Sequence, residues 1–287
     1  MFQPIDINQY RFAGSLSEHH TRTDTVIKPR TLLDECVAHI RSRQEVLYAD
    51  ASRALLVVFQ GMDCAGKDST IKHVFSGVNP QGVHVANFSE PTRNETAHSY
   101  MWRYWRQMPR RGQIGVFNRS HYEEVLVMRV HPELLAERKM PKVAVDDQFW
   151  STRLQDLVAL ETHLERNGVH VIKIMLHLSK EEQRRRLLGR INRPHKNWKF
   201  DPRDLAARAQ WDAYTEAYNA ALVATDRDAC PWYVVPADHK PTLRAITAAI
   251  VAIHLDRLPV TIPTMSAAVA AQLEQAKIAL ESERPEP

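Results

Sequence analysis

Ala54-Leu-Leu-Val-Val-Phe-Gln-Gly-Met-Asp-Cys-Ala-Gly-Lys-Asp-Ser-Thr70 is an apolar run that breaks into a glycine-bounded turn and ends on lysine and hydroxyl residues. Gly61 to Lys67 fits the phosphate-binding pattern G-x-x-x-x-G-K. A buried strand would deliver the loop, and the glycines let backbone N–H groups turn inward on phosphate oxygens. A helix opening at Gly66 would aim its positive dipole end at the same point. Lys67 adds a mobile charge for the transferring group. The candidate phosphate contacts are Gly61, Ala65, Gly66, Lys67, Asp68, Ser69 and Thr70. Asp68 stands where a magnesium-binding Ser or Thr is expected. Asp63 lies inside the loop, where an anion repels phosphate unless a cation intervenes. It reads as a magnesium or proton-handling carboxylate, or else as a side chain that caps the loop backbone.

On either side, apolar runs alternate with helical spacing. Polar, aperiodic residues up to about Thr31 precede a helix over Leu32–Leu47. Leu55–Phe59 is a strand, and the helix after Gly66 stops near Gly77. Further strands are expected at Val83–Phe88, Ile114–Phe117, Val169–His177 and Pro231–Pro236. Helices are expected over Asn94–Gln107, Asp147–Arg166, Arg203–Thr225 and Lys240–Leu258. Ser179 looks like a helix N-cap, with Glu182 at the reciprocal capping-box position. Five strands alternating with helices argue for an α/β fold with a parallel sheet covered on both faces. From Thr261 onward, Ala, Glu and Gln predict a peripheral helix or a frayed tail.

The 287 residues, 44% of them hydrophobic, suit one α/β domain with appendages. No apolar run reaches the roughly 20 residues that span a bilayer, and the first residues lack the regions of a signal peptide. The expected location is the cytoplasm. Cys36, Cys64 and Cys230 lack metal-ligand spacing and read as reduced thiols. The formal charge of +4 decides little. Its placement is more telling, because Gln183 to Lys199 concentrates cations in one segment that suits a multiply charged anion, nucleic acid or a phosphate polymer.

Asn118-Arg119 follows the third strand, where parallel sheets place ligand contacts. Asn118 is neutral and offers only an amide, which weakens a metal role. Arg119 could bridge phosphates in the transition state or serve as a structural ion-pair partner. Arg184, Arg185 and Arg186 taken singly read as a solvated face; with Arg190, Arg193, Lys196 and Lys199 they form a cluster. Two helices joined by this basic bend resemble a lid. Trp102, Tyr104 and Trp105 read as core packing, with Arg103 and Arg106 on the polar side of their helix. No histidine is assigned a catalytic role.

Gly61–Lys72, Ser76–Gly82, Gly115–Glu123, Arg129–Glu133 and Trp198–Phe200, in this order, resemble the second family of polyphosphate kinases, over about Arg30 to Leu258. The resemblance implies a thymidylate-kinase-like P-loop fold of three layers with a helical lid. It also implies reversible transfer of phosphoryl groups between inorganic polyphosphate and AMP, ADP or ATP, with magnesium or, in its place, manganese. Carried over, Asp63, Lys67 and Arg119 would be catalytic, with Asp63 toward the metal. Asn118, Arg119, Glu123 and Glu133 would face the nucleotide. Arg103, Arg186, Arg190, Arg193, Lys196 and Lys199 would meet polyphosphate. Asn118 resembles the subgroup that accepts both mono- and diphosphates, whereas Arg193 departs from a usual acidic residue before the lid proline. The implied organisation is an arm (1–30), a kinase domain (31–260) with its lid at about 179–225, and a tail (261–287), in a homodimer or homotetramer that binds neither membrane nor nucleic acid. The rivals are an ATP-dependent nucleoside monophosphate kinase and a non-catalytic, nucleotide-gated polyanion-binding module.

Overall fold

The computed structural model describes residues 2–138 and 140–283, the side chains of Lys196 and Lys199 excepted. In chain order the described elements are α1 (Pro29–Asp50), β1 (Ala54–Gln60), α2 (Lys67–Val74), β2 (Val83–Asn87), α3 (Arg93–Thr96), α4 (Trp102–Trp105), β3 (Ile114–Asn118) and α5 (Glu123–Val130). Then come α6 (Asp147–Arg166), β4 (Val169–His177), α7 (Lys180–Ile191), α8 (Arg203–Ala209), α9 (Trp211–Thr225), β5 (Trp232–Pro236), α10 (Lys240–Arg257) and α11 (Ala267–Ser282). The strands form one five-stranded sheet in the order β2-β3-β1-β4-β5, with every neighbouring pair parallel.

Both faces of this sheet are buried, which is why β1 reads as an unbroken apolar run. Leu55, Val57, Phe59, Ile172 and Ile174 point to one side, against Ile40 and Leu47 of α1, Ile71 of α2 and Ile246 and Ile250 of α10. Leu56, Val58, Val171 and Met175 point to the other, against Leu157 and Leu164 of α6 and Leu222 of α9. Three layers result. The first residues are folded onto the body: Ile7, Tyr10, Phe12 and Leu16 are buried, and Arg11 bridges antiparallel to Tyr233 of β5.

Three local expectations change. The helix expected over Asn94–Gln107 is two single turns, α3 and α4, because the N–H groups of His98 and Trp102 bond three residues back, to Glu95 and Ser99. Side chains hold that fold-back, Tyr100 on Asp156 at 2.6 Å and Arg103 on the Ser89 carbonyl at 2.8 Å. The helix expected over Arg203–Thr225 breaks at Gln210, which ends α8 and starts α9. Ser179 does cap α7, but its own N–H donates to Asp238 Oδ1 at 2.8 Å, and the Glu182 carboxylate is held by Arg185 and Arg186 instead of returning to it. The residues after Thr261 include the 16-residue α11, exposed along its whole length.

Candidate active site

β1 and β3 lie side by side in register, Phe59 opposite Asn118, so the loop after β1 and the residue after β3 emerge together at the carboxyl edge of the sheet. The loop turns on Gly61, at φ +150°, where a Cβ would stand 2.9 Å from the Leu176 carbonyl oxygen. Backbone contact with β4 therefore requires glycine here. Gly66, at φ +107°, turns the chain into α2 and forms its N-cap. The first amides of α2 and its dipole face the loop.

Lys67 is buried, and its Nζ donates to the carbonyl oxygens of Gly61 at 2.6 Å and Met62 at 3.4 Å. Burial and the neighbouring Arg119 push its ammonium below the ordinary range, against the pull of Asp63, Glu123 and Asp68. The loop thus holds a desolvated cation with more affinity for anions than its carbonyl partners satisfy.

Arg119 continues β3 at φ +62°, its N–H bonded to the Phe59 carbonyl oxygen at 3.1 Å. Its guanidinium reaches Asp63 Oδ1 at 2.7 Å and Glu123 Oε2 at 3.4 Å. Glu123 and then Asp63 hold it charged against the cost of burial. Lys67, Asp63, Arg119 and Glu123 therefore form one electrostatic cluster. Asn118 donates from Nδ2 to Asp68 Oδ1 at 2.7 Å, while its buried Oδ1 has no protein partner among the described residues. The loop's irregular carboxylate is thus oriented by the amide at the end of β3. Ser69 Oγ turns back on the Gly66 carbonyl at 3.0 Å, and Thr70 is fully buried in α2.

The basic segment is divided by its tertiary contacts. Arg186 is buried; its NH1 donates to the Cys64 and Ala65 carbonyl oxygens, both at 2.9 Å, and its NH2 to that of Ala237 at 2.5 Å. Its Nε meets Glu182 at 2.7 Å, so this guanidinium clamps the loop backbone and does not stand over it as an open cation. Arg190 pairs with Asp204 of α8 at 2.9 Å. Burial and the nearby Asp63 raise the Asp204 carboxyl, against Arg190, which places α8 next to the loop. Gln183 Nε2 donates to the Asp63 carbonyl at 3.0 Å. Arg184 and Arg185 pair with Glu181 and Glu182 on the exposed face, and Arg193 is exposed. The side chains of Lys196 and Lys199 lie outside those described.

Two expected contacts are placed elsewhere. Arg103 is buried against the rings of Phe88 and Tyr104 and holds Ser89 and Glu95, so it fastens the loop after β2 instead of lining a polyanion track. The Glu133 side chain is 69% exposed and bonds His131 at 3.0 Å, with no described contact to Arg119. Tyr214 of α9 has its ring 6.0 Å from that of His131 and its hydroxyl pushed up to about 12 by burial, then by Glu123 and Asp63, with Glu133 adding less. Tyr218, one turn on, is buried beside the same cluster. Gln183, Asp204, Tyr214 and Tyr218 are site neighbours that the sequence reading missed. Of these, only Gln183 carried a signal, since it shares a helix face with Arg186 and Arg190.

The family model described as polyphosphate kinase 2 matches residues 28–260. An ADP-polyphosphate phosphotransferase of Rhodopseudomonas palustris is 44% identical over 245 residues, 85% of each chain. An AMP/ADP-polyphosphate phosphotransferase of Meiothermus ruber is 47% identical over 195 residues, 68% of this chain and 69% of that one. The crystal structure of polyphosphate kinase 2 from Arthrobacter aurescens superposes with a TM-score of 0.88 at 32% identity, covering 98% of this chain and 99% of that one. The match covers the whole sheet and the loop that it carries, and the chain belongs to the polyphosphate kinase 2 family.

Proposed function

We propose that this protein transfers phosphoryl groups reversibly between inorganic polyphosphate and AMP or ADP, forming ADP and ATP. The observation that carries the reading is the cluster of Lys67, Asp63 and Arg119 at the mouth of the loop. Phosphoryl transfer asks a protein mainly to align donor and acceptor and to neutralise charge. Lys67 would exchange its carbonyl partners for phosphate oxygens, relieving its desolvation. Arg119 would turn its planar fork from Asp63 toward the transferring group, where charge develops. Asn118 and Glu123 lie on the nucleotide side, and the α7–α9 segment closes over the chains and excludes water, a competing acceptor.

The residues present fit magnesium. Magnesium is commonly held by one or two carboxylates together with substrate phosphates. Asp63 would hold it, with Asp68 and the unpartnered Asn118 Oδ1 beside it. When bound, the ion offsets phosphate charge, and manganese can take its place.

Among the described residues no helix is long and apolar enough to cross a membrane, and Cys36, Cys64 and Cys230 are buried free thiols. We place the enzyme in the cytoplasm, acting on polyphosphate and not on nucleic acid. A homo-oligomer is supported by α11, whose Val269, Leu273, Ile278 and Leu280 are exposed. The test is direct. Protein, AMP, polyphosphate and magnesium without ATP should yield ADP and then ATP by chromatography, and Lys67→Ala should yield neither while remaining folded. Absence of both products at every polymer length, or turnover only when ATP is added, overturns the reading.

A further inference from the structure

β4 carries one lysine, Lys173, between Ile172 and Ile174, and all three side chains are fully buried. Its three protons have three acceptors: Glu161 Oε2 at 2.8 Å, the Thr225 carbonyl oxygen at 2.7 Å and Tyr122 Oη at 3.3 Å. Tyr122 in turn donates to Glu161 Oε1 at 2.7 Å, and the Trp232 indole donates to Thr225 Oγ1 at 2.9 Å. Stability alone is a poor reason for such a pair, because well-packed apolar residues often replace a buried ion pair without loss. What the pair grips is more informative. It joins α6 through Glu161, β4 through Lys173 and the last turn of α9 through Thr225 to Tyr122, the residue that precedes α5.

Tyr122 lies three residues after Arg119, and the chain between them has little freedom. Ser120 Oγ accepts from Gln60 Nε2 at 3.0 Å and from the Tyr122 N–H at 3.2 Å, and His121 is fully buried. Arg119 itself stands at φ +62°, a conformation that persists only where its surroundings over-determine it. Fixing Tyr122 therefore fixes both Arg119 and its partner Glu123.

We propose that the buried Glu161–Lys173 pair is a positioning device, which through the Tyr122 hydroxyl holds the Arg119 fork in register with the phosphate loop and ties it to the foot of α9. Glu161 and Lys173 touch no substrate in this account; they act through Arg119, and the inference rests on the role given to Arg119 above. The test removes both charges at once, as Glu161→Leu with Lys173→Met, and separately the hydroxyl alone, as Tyr122→Phe, in the wild-type and Arg119→Lys backgrounds. In the wild-type background kcat should fall about 10–100-fold for the double change, the scale of an ångström-level misplacement, and several-fold for Tyr122→Phe, with nucleotide KM nearly unchanged. In the Arg119→Lys background the same changes should cost less than about threefold, because a flexible ammonium does not depend on a fixed fork. Should the double change not fold, Tyr122→Phe decides by the same comparison. Undiminished kcat in the folded variants, or an equal loss in both backgrounds, overturns the positioning role alone. Wild-type turnover in Arg119→Lys overturns the role of Arg119 and the proposal together.

Discussion

Replacing Arg186 separates two roles for a lid arginine. An open cation that meets polyphosphate would lose its effect on the polymer when truncated, and lysine would restore most of it. The structure gives Arg186 different work, with hydrogen bonds to the carbonyl oxygens of Cys64, Ala65 and Ala237 and a charged bond to Glu182. Hydrogen bonds from charged donors contribute about 1.5–3 kcal/mol each, and they are not additive. Arg186→Ala leaves four carbonyl oxygens, those of Cys64, Ala65, Ala237 and Asp238, without this donor while Arg185 still holds Glu182, and the expected destabilisation is about 3 kcal/mol, the scale of one or two such bonds. Arg186→Lys should recover little, since a single ammonium cannot reach the loop, the residue after β5 and Glu182 together. Urea unfolding gives the stability, and initial rates at varied ADP and polyphosphate give the kinetics. The expected pattern is a large loss in kcat with both substrates affected alike, in both variants. An Arg186→Lys protein with near wild-type stability and rate, or an Arg186→Ala protein impaired only in its KM for polyphosphate, would refute the clamp.

Asn118→Asp replaces the amide donor on Asp68 with a second carboxylate, at a site where the two groups now meet at 2.7 Å. Two such anions cannot both ionise without a cation between them, so the variant should need more magnesium for half-maximal rate and show a changed ratio of AMP to ADP phosphorylation. An unchanged magnesium dependence and ratio would refute the pairing's importance. A separate prediction concerns acid. His170 bonds His254 at 2.8 Å, and burial, then Arg257 and Arg53, lower its imidazole from 6.5 to about 4. The unfolded chain therefore takes up this proton near pH 6.5 and the folded chain only near 4. The stability is complete above about pH 7 and declines as pH falls between those values, by about 2 kcal/mol at about pH 5. Urea unfolding at about pH 7.5 and 5 should show a drop that His170→Gln reduces by about that amount, and equal drops in both proteins would exclude the histidine as the cause.

The phosphate loop was legible because its physics is local. An apolar run, two glycines that must take positive φ and a lysine at the helix start specify the cradle without reference to the rest of the chain. Arg119 was legible as a candidate but not in its partners, since Asp63 lies far from it in sequence and meets it only because β1 and β3 pair. The basic segment was legible only in part, for a related reason. Composition registers Arg184, Arg185 and Arg186 as one patch, yet consecutive helical residues point about 100° apart, and only one of the three can face the body. The helix stripe of Gln183, Arg186 and Leu187 is buried, whereas Arg184 and Arg185 face solvent. Lys173 inside β4 was the unread signal. A lone lysine in an apolar strand demands a buried partner, but nothing local names Glu161 on α6 as that partner. The cradle can therefore be read from local sequence, whereas what holds it rigid is a set of single buried charges whose partners only the folded chain reveals.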